Sequence, residues 1–289
     1  LMYNKETFKR YGVKVPETLS ELEEAAAKLT RPEQNLYGFT ARGMGGGVAV
    51  PSFVPFLFSM GGSWVDERGN AAINSPEAIR AFELYGKLMR EYNPPGPLNF
   101  NWRQAQDAFI SGRAAQWVGM SLYAANVENP ELSKIVGKAG YTIFPKGPAG
   151  SKPQWDGWCI NISSFSRKKE AAWYFIQWAT GKDECLAGIL NGIPSPRWSS
   201  WEAEEFKQGW RAKHPELVET QLKSAEIMGF QEFPPVVNVQ KAREIITEPI
   251  VAAIKGEDVK QVAEKANEEL QRLIEETKVM ERRIKEVTK

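Results

Sequence analysis

The spacing of apolar residues along the chain switches between helical and strand-like periods, with proline, glycine or a capping residue at most of the switches. Thr18 and Glu21 form a T-x-x-E box, and Leu19, Leu22 and Leu29 share one face, so the spacing predicts a helix through Lys28. A short strand is expected at 37–40. A loop at 42–47 follows, then an apolar helix to Met60 that Gly61-Gly62 end. Residues 64–73 read as a hairpin turning at 67–70. Ser75-Pro76 places an N-cap before proline at the first helical position. Ile79, Phe82, Tyr85, Met89 and Tyr92 then line one face of a helix that stops at Pro94-Pro95-Gly96-Pro97.

A shorter helix is expected at 104–111, and buried strands at 114–120, 141–144 and 157–162. Ser166 caps the next helix, 171–180, which is apolar on nearly every side. That pattern places Trp173 and Trp178 in a core. Gly181 and Gly192 punctuate two successive helices, and from Ser199 onward the pattern is almost wholly helical. No internal repeat or low-complexity linker interrupts it. Short strands alternating with helices predict an α/β fold.

Charge narrows the function classes. Over 289 residues the formal net charge is +1, and basic residues are interleaved with acidic ones, a pattern that does not fit nucleic acid. The longest apolar run, 48–60, is broken by Pro51 and Pro55 and is too short to span a bilayer. The opening Leu1-Met2-Tyr3-Asn4-Lys5 has neither the basic start nor the apolar core of a secretory leader. With one histidine, His214, and two cysteines, the chain lacks the ligand set of a zinc or copper site. His214 reads as a surface residue at a helix start; Cys159 and Cys185 either pair or stay as two buried free thiols, and no recognisable disulfide framework around them favours pairing.

Phosphate-loop and nucleophile readings are weak. The glycines at 43–47 lack the G-x-x-x-x-G-K-[ST] pattern, and Ser163, Ser164 and Ser166 lie outside any nucleophile elbow. A carboxylate pair for glycoside hydrolysis remains open as an alternative, though no pair is singled out. The ten tryptophans are more informative. Sugar rings have apolar C–H faces and a rim of hydroxyls, so a site for them needs flat aromatic surface beside fixed donors and acceptors. Trp155-Asp156-Gly157-Trp158 at a strand entrance, Trp117 at a strand end and Arg42 in a loop meet that need.

The order of several motifs resembles a known family. Tyr3-Asn4-Lys5 with Pro16-Glu17-Thr18-Leu19, Gly61-Gly62 with Trp64, and Phe109-Ile110-Ser111-Gly112-Arg113-Ala114-Ala115 resemble segments of carbohydrate-class, maltose-binding-protein-like solute-binding proteins of ABC importers. So does the run from Gly157-Trp158 to Ala171-Ala172-Trp173-Tyr174-Phe175-Ile176. Tyr37-Gly38-Phe39-Thr40-Ala41-Arg42-Gly43, Phe144-Pro145-Lys146-Gly147-Pro148 and Pro194-Ser195-Pro196-Arg197 are most similar to the sorbitol/mannitol-type binders. Met120-Ser121 stands where many such proteins carry an acidic residue.

The resemblance implies a two-lobed α/β fold, the periplasmic-binding-protein type II fold. Residues 1–154 and 214–289 would form lobe 2, and 155–213 a return segment of lobe 1. It implies that lobe 1 is incomplete at its N-terminus, short by on the order of a hundred residues, roughly one small domain. The implied function is capture of a neutral sugar or polyol for a membrane permease, without catalysis or cofactor. The implied location is periplasmic or extracellular, with lipid anchoring as one mode of retention. The site carried over comprises Arg42 as donor, Trp117, Trp155 and Trp158 for stacking and close approach, Asp156 as acceptor, Gly157 for clearance, and Arg197 from lobe 1.

Overall fold

A computed structural model of the protein describes residues 1–154, 157–227 and 233–287. The chain enters at strand β1 (Met2–Asn4) and turns into α1 (Lys5–Arg10), because the Asn4 side chain accepts the Thr7 N–H at 3.1 Å. The expected capping box starts α2 (Leu19–Leu29): Thr18 accepts from Glu21 N, and the Glu21 carboxylate accepts from Thr18 N. The apolar helix is α3 (Val50–Ser59), and Ser75 caps α4 (Pro76–Tyr92) through Ala78 N. Asn101 and Gln104 make a second capping box ahead of α5 (Trp102–Ile110), which thus starts two residues before the expected position. Then come β2 (Gln116–Trp117), α6 (Ala124–Val127) and β3 (Ala139–Tyr141).

The three strands form a sheet of order β2-β1-β3 with both pairs antiparallel. The segment 37–40 extends it beside β2 in parallel: Tyr37 N donates to Arg113 O at 2.8 Å and Thr40 N to Gln116 O at 2.9 Å. Successive side chains alternate between the faces, and each face meets helices. Val118, Phe39, Leu22 and Phe144 join a core with Phe53 and Phe56 of α3 and Phe82 and Tyr85 of α4. Trp117, Met2 and Tyr141 join another with Phe109 of α5 and Val127 of α6.

From residue 169 onward the described chain is mostly helical: α7 (Lys169–Ala179), α8 (Lys182–Leu190), α9 (Trp198–Glu202), α10 (Glu204–Gln208), α11 (Trp210–Lys213), α12 (Pro215–Ile227), α13 (Val239–Lys255) and α14 (Val259–Val287). The last two return to the first core, where Ile246, Ile250, Ala253, Ala266 and Leu270 pack among the residues of α3 and α4. Among the described residues no helix is long and apolar enough to cross a membrane. Leu217 of α12 points into the sheet-side core, whereas Val218 packs with Ile189 of α8 and Phe206 of α10. Trp210 touches both cores, and its ring lies 4.2 Å from that of His214. His214 is therefore half-buried rather than a surface residue.

Four expectations fail between residues 157 and 185. The strand expected at 157–162 is exposed irregular chain, with no described strand beside it to accept a ladder. Trp173 and Trp178 are 55% and 57% exposed instead of core, and α7 buries no residue at all. Of the two cysteines, both free, Cys185 is buried but Cys159 is exposed. Ser166 does not cap α7 directly; its hydroxyl accepts from Lys168 N one turn ahead. Residue type set the wrong expectation here, because an apolar helix is buried only where something packs on it.

Two outcomes follow. Clustered apolar exposure of this kind drives association, so the 289-residue chain should bind a hydrophobic dye and self-associate with concentration in light scattering. Replacing Trp173, Phe175 and Trp178 by glutamine should abolish both and leave the melting temperature unchanged, since these rings bury little here; a large drop would show that they are packed. Burial holds His214 below its ordinary 6.5, so the unfolded chain takes up its proton first. Stability should then fall as pH drops through 6.5 towards the folded value. Proton NMR of the single histidine should find its midpoint below 6.5, and His214→Asn should flatten that part of the stability curve.

Candidate ligand-binding site

Parallel pairing of 37–40 with β2 sends the two chains out of the sheet at the same edge. Ligand sites in open α/β sheets lie outside the carboxyl ends of strands, and here Arg42 follows one strand while Met120, Ser121 and Tyr123 follow the other. Gly38 permits the arrangement, because a Cβ there would lie 1.9 Å from the Ala26 carbonyl oxygen of α2. Beyond Arg42 the loop is tied down, with Gly43 N and Met44 N both donating to Phe100 O at 2.8 and 3.0 Å. Further on, Arg243 of α13 donates from Nε and Nη2 to Gly47 O at 3.2 and 3.0 Å. The glycine loop is thus clamped through its amides at one end and through the Gly47 carbonyl at the other.

Arg42 is half-buried. Its carbonyl accepts the Tyr85 hydroxyl at 2.6 Å, and burial pushes that phenol well above its usual range, so it stays a donor. Its guanidinium makes two long contacts from Nη2, to Tyr123 Oη at 3.4 Å and to Met120 Sδ at 3.6 Å. Among the described residues no carboxylate pairs with it. Most of its donor capacity is therefore available to a ligand.

Beside Arg42 the aromatic rings form a stack. Trp117 packs on Tyr123 with centroids 5.6 Å apart and planes 19° apart, and Tyr123 on Trp102 at 5.3 Å and 4°. Phe109 closes the inner side of Trp117 at 5.7 Å. Trp117, expected to offer a stacking face, is only 1% exposed. Its ring is covered by Phe109 and Tyr123, so it supports the stack from below. Tyr123 is 8% exposed, and Trp102, which the sequence pattern did not single out, is partly exposed at the outer end.

The other expected site residues are not gathered here. Trp155 and Asp156 lie outside the described residues. Gly157 and Trp158 are exposed, Trp158 at 81%, with no hydrogen bond or ring contact to Arg42. Arg197 Nε donates to Thr180 O at 2.5 Å, so its charge closes the C-terminal end of α7, where a cation is favoured. No group of three or more His, Cys, Asp or Glu among the described residues is placed to hold a metal ion.

A cavity of about 380 Å³ lies between Phe144, Tyr141 and α12. The charged residues that α12 contributes to its wall are already satisfied. Glu216 accepts from Tyr141 N at 3.0 Å, Tyr3 Oη at 3.2 Å and Lys5 Nζ at 2.9 Å, and Lys223 pairs with Glu219 at 2.8 Å. Burial, with the charge of Glu216 second, pushes the Tyr3 phenol up to about 12. These groups brace β1 and β3 against α12.

Comparison with known proteins adds a family. The sequence profile described as bacterial extracellular solute-binding protein matches residues 1–184. The mannitol-binding protein of Pseudomonas aeruginosa is 31% identical over 208 residues, 69% of this chain and 48% of that protein. Among solved structures, an ABC transporter solute-binding protein from Agrobacterium radiobacter K84 in complex with ribitol superposes with a TM-score of 0.84 at 30% identity. That match covers 94% of this chain and 68% of the other. One from Agrobacterium vitis S4 with bound D-mannitol gives 0.81 at 25% identity, covering 95% and 70%. The chain thus spans about half the length of the mannitol-binding protein and about two thirds of the solved chains.

Gly38→Ala tests whether the close approach to α2 sets the position of the site. The added methyl should overpack the contact and cost about 1–3 kcal/mol in denaturant unfolding. Gly45→Ala, in the same region but with open space around its Cβ, should cost far less. Equal stability of the two variants would mean that the strand can move off the helix freely.

Proposed function

Because the chain belongs to the bacterial extracellular solute-binding protein family, we propose that it captures a neutral sugar or polyol between two lobes and delivers it to the permease of an ABC importer. The observation that carries this reading is Arg42, a half-buried guanidinium without a carboxylate partner among the described residues, set beside a three-ring stack. A guanidinium can donate to two hydroxyls at once while flat rings cover C–H faces. The names of the relatives agree, since a mannitol-binding protein and structures holding ribitol and D-mannitol are among them.

In this reading residues 1–154 and 214–289 make lobe 2, and 155–213 belong to lobe 1. Closure about the crossings near 154 and 213 brings Trp155, Asp156, Gly157 and Trp158 over the ligand held at Arg42, with Arg197 approaching from the lobe 1 side. Trp117 acts from beneath. The closed form is what the permease receives. No bond is made or broken, so the protein acts without catalysis or cofactor, in the periplasm or outside the cell, free or held by a lipid anchor. Glycoside hydrolysis has no comparable support, because the matched family and the relatives described above are binding proteins.

A thermal-shift screen of the full-length protein against sugars and polyols is the direct test. A ligand at a hundred times its Kd adds about 2.7 kcal/mol to the folded state, so a true ligand should raise the melting temperature in a concentration-dependent way. A flat response across the panel, or release of reducing ends from oligosaccharides, would overturn the proposal. By calorimetry, Arg42→Ala, Trp155→Ala and Trp158→Ala should each weaken binding by about 1–3 kcal/mol. Unchanged affinity in all three would remove these residues from the site.

A further inference from the structure

We infer that Trp102 is the ligand-facing plate of the site, a residue that selects ligands presenting a continuous apolar C–H face. The inference rests on the sugar or polyol reading above and assigns that recognition to a residue outside the expected set. Exposure rises outward through the stack, from Trp117 to Tyr123 to Trp102, so only the last ring presents substantial surface. Its plane is fixed: it lies 4° from Tyr123, which in turn lies 19° from the buried Trp117. The backbone beneath it is fixed as well, by the Asn101–Gln104 capping box and by the two amides that Phe100 O accepts from Gly43 and Met44.

Those same two amides tie Trp102 to the Arg42 loop, and Arg42 reaches the Tyr123 hydroxyl in the middle of the stack. A donor for hydroxyls and a plate for C–H groups therefore share one rigid support. The exposed Arg103 guanidinium lies 5.1 Å from the Trp102 ring centroid. Cation–π contacts at exposed sites are weak, so a ligand that buries the plate can displace it. Trp102 thus acts by contact with ligand, whereas Trp117 and Tyr123 position it.

The test uses the full-length protein with D-mannitol and ribitol as probes, titrated by calorimetry, with ligand-free melting curves in parallel. Trp102→Leu keeps apolar bulk but loses the flat face, and Trp102→Phe keeps a flat face. The leucine variant should lose about tenfold or more in affinity, the size of one packed aromatic contact. The phenylalanine variant should stay within about threefold of the wild type, with melting temperatures alike in both. Wild-type affinity in Trp102→Leu, or equal losses in the two variants, would overturn the assignment while leaving the binding function intact. A wild-type protein that binds no sugar or polyol would sink the underlying reading, and this inference with it.

Discussion

The arrangement of the site depends on one backbone pairing, the parallel register of residues 37–40 against β2. Antiparallel partners would send Arg42 and Tyr123 to opposite edges of the sheet. The parallel ladder, with Tyr37 bonded to Arg113 and Thr40 to Gln116, brings both to one edge. It holds because Gly38 lets the strand lie against the α2 backbone and because the Thr40 hydroxyl donates to the buried Asn93 side chain at 2.9 Å. The stack and the guanidinium then need only short loops to meet.

A second constraint is the double role of α12. One of its faces, with Glu216, Leu217 and Thr220, is bound to the sheet, and the other, with Val218 and Leu222, to α8 and α10. Among the described residues, the small helical unit between residues 182 and 213 is thereby joined to the sheet side through α12 and the Trp210 ring. A narrow connection of this kind constrains relative movement less than a broad packed interface does.

The sequence was most legible where structure is local. The Thr18–Glu21 box, the Ser75-Pro76 start and the 67–70 turn depend on residues a few positions apart, and the structure has all three. It was least legible where burial depends on a partner. Trp173 and Trp178 have the composition of a core and lie on the surface, and 157–162 has the composition of a strand with no described strand beside it to complete it. At the site, Trp117 was noticed because it ends a strand, but period-two alternation says which face a side chain takes and not how deep it lies. Trp102 is hard to read for a local reason. Apolar spacing starts the helix at Gln104 and leaves the tryptophan in a loop, although Asn101-x-x-Gln104 is itself a start signal.

The main core is assembled from segments far apart in the chain. Ala71 and Ile73 donate their amides to Gln271 and Asn267 of α14, across 200 and 194 residues, and Arg90 donates to Ala253 O across 163. Contacts of this range make folding slow, because loop-closure entropy is lost before any of them forms. On the ribosome, α3 and α4 emerge long before the helices that cover them. The apolar faces of α3 and α4 therefore stay uncovered while every residue between α4 and α13 is being made, a window in which a chaperone that holds apolar segments can engage them.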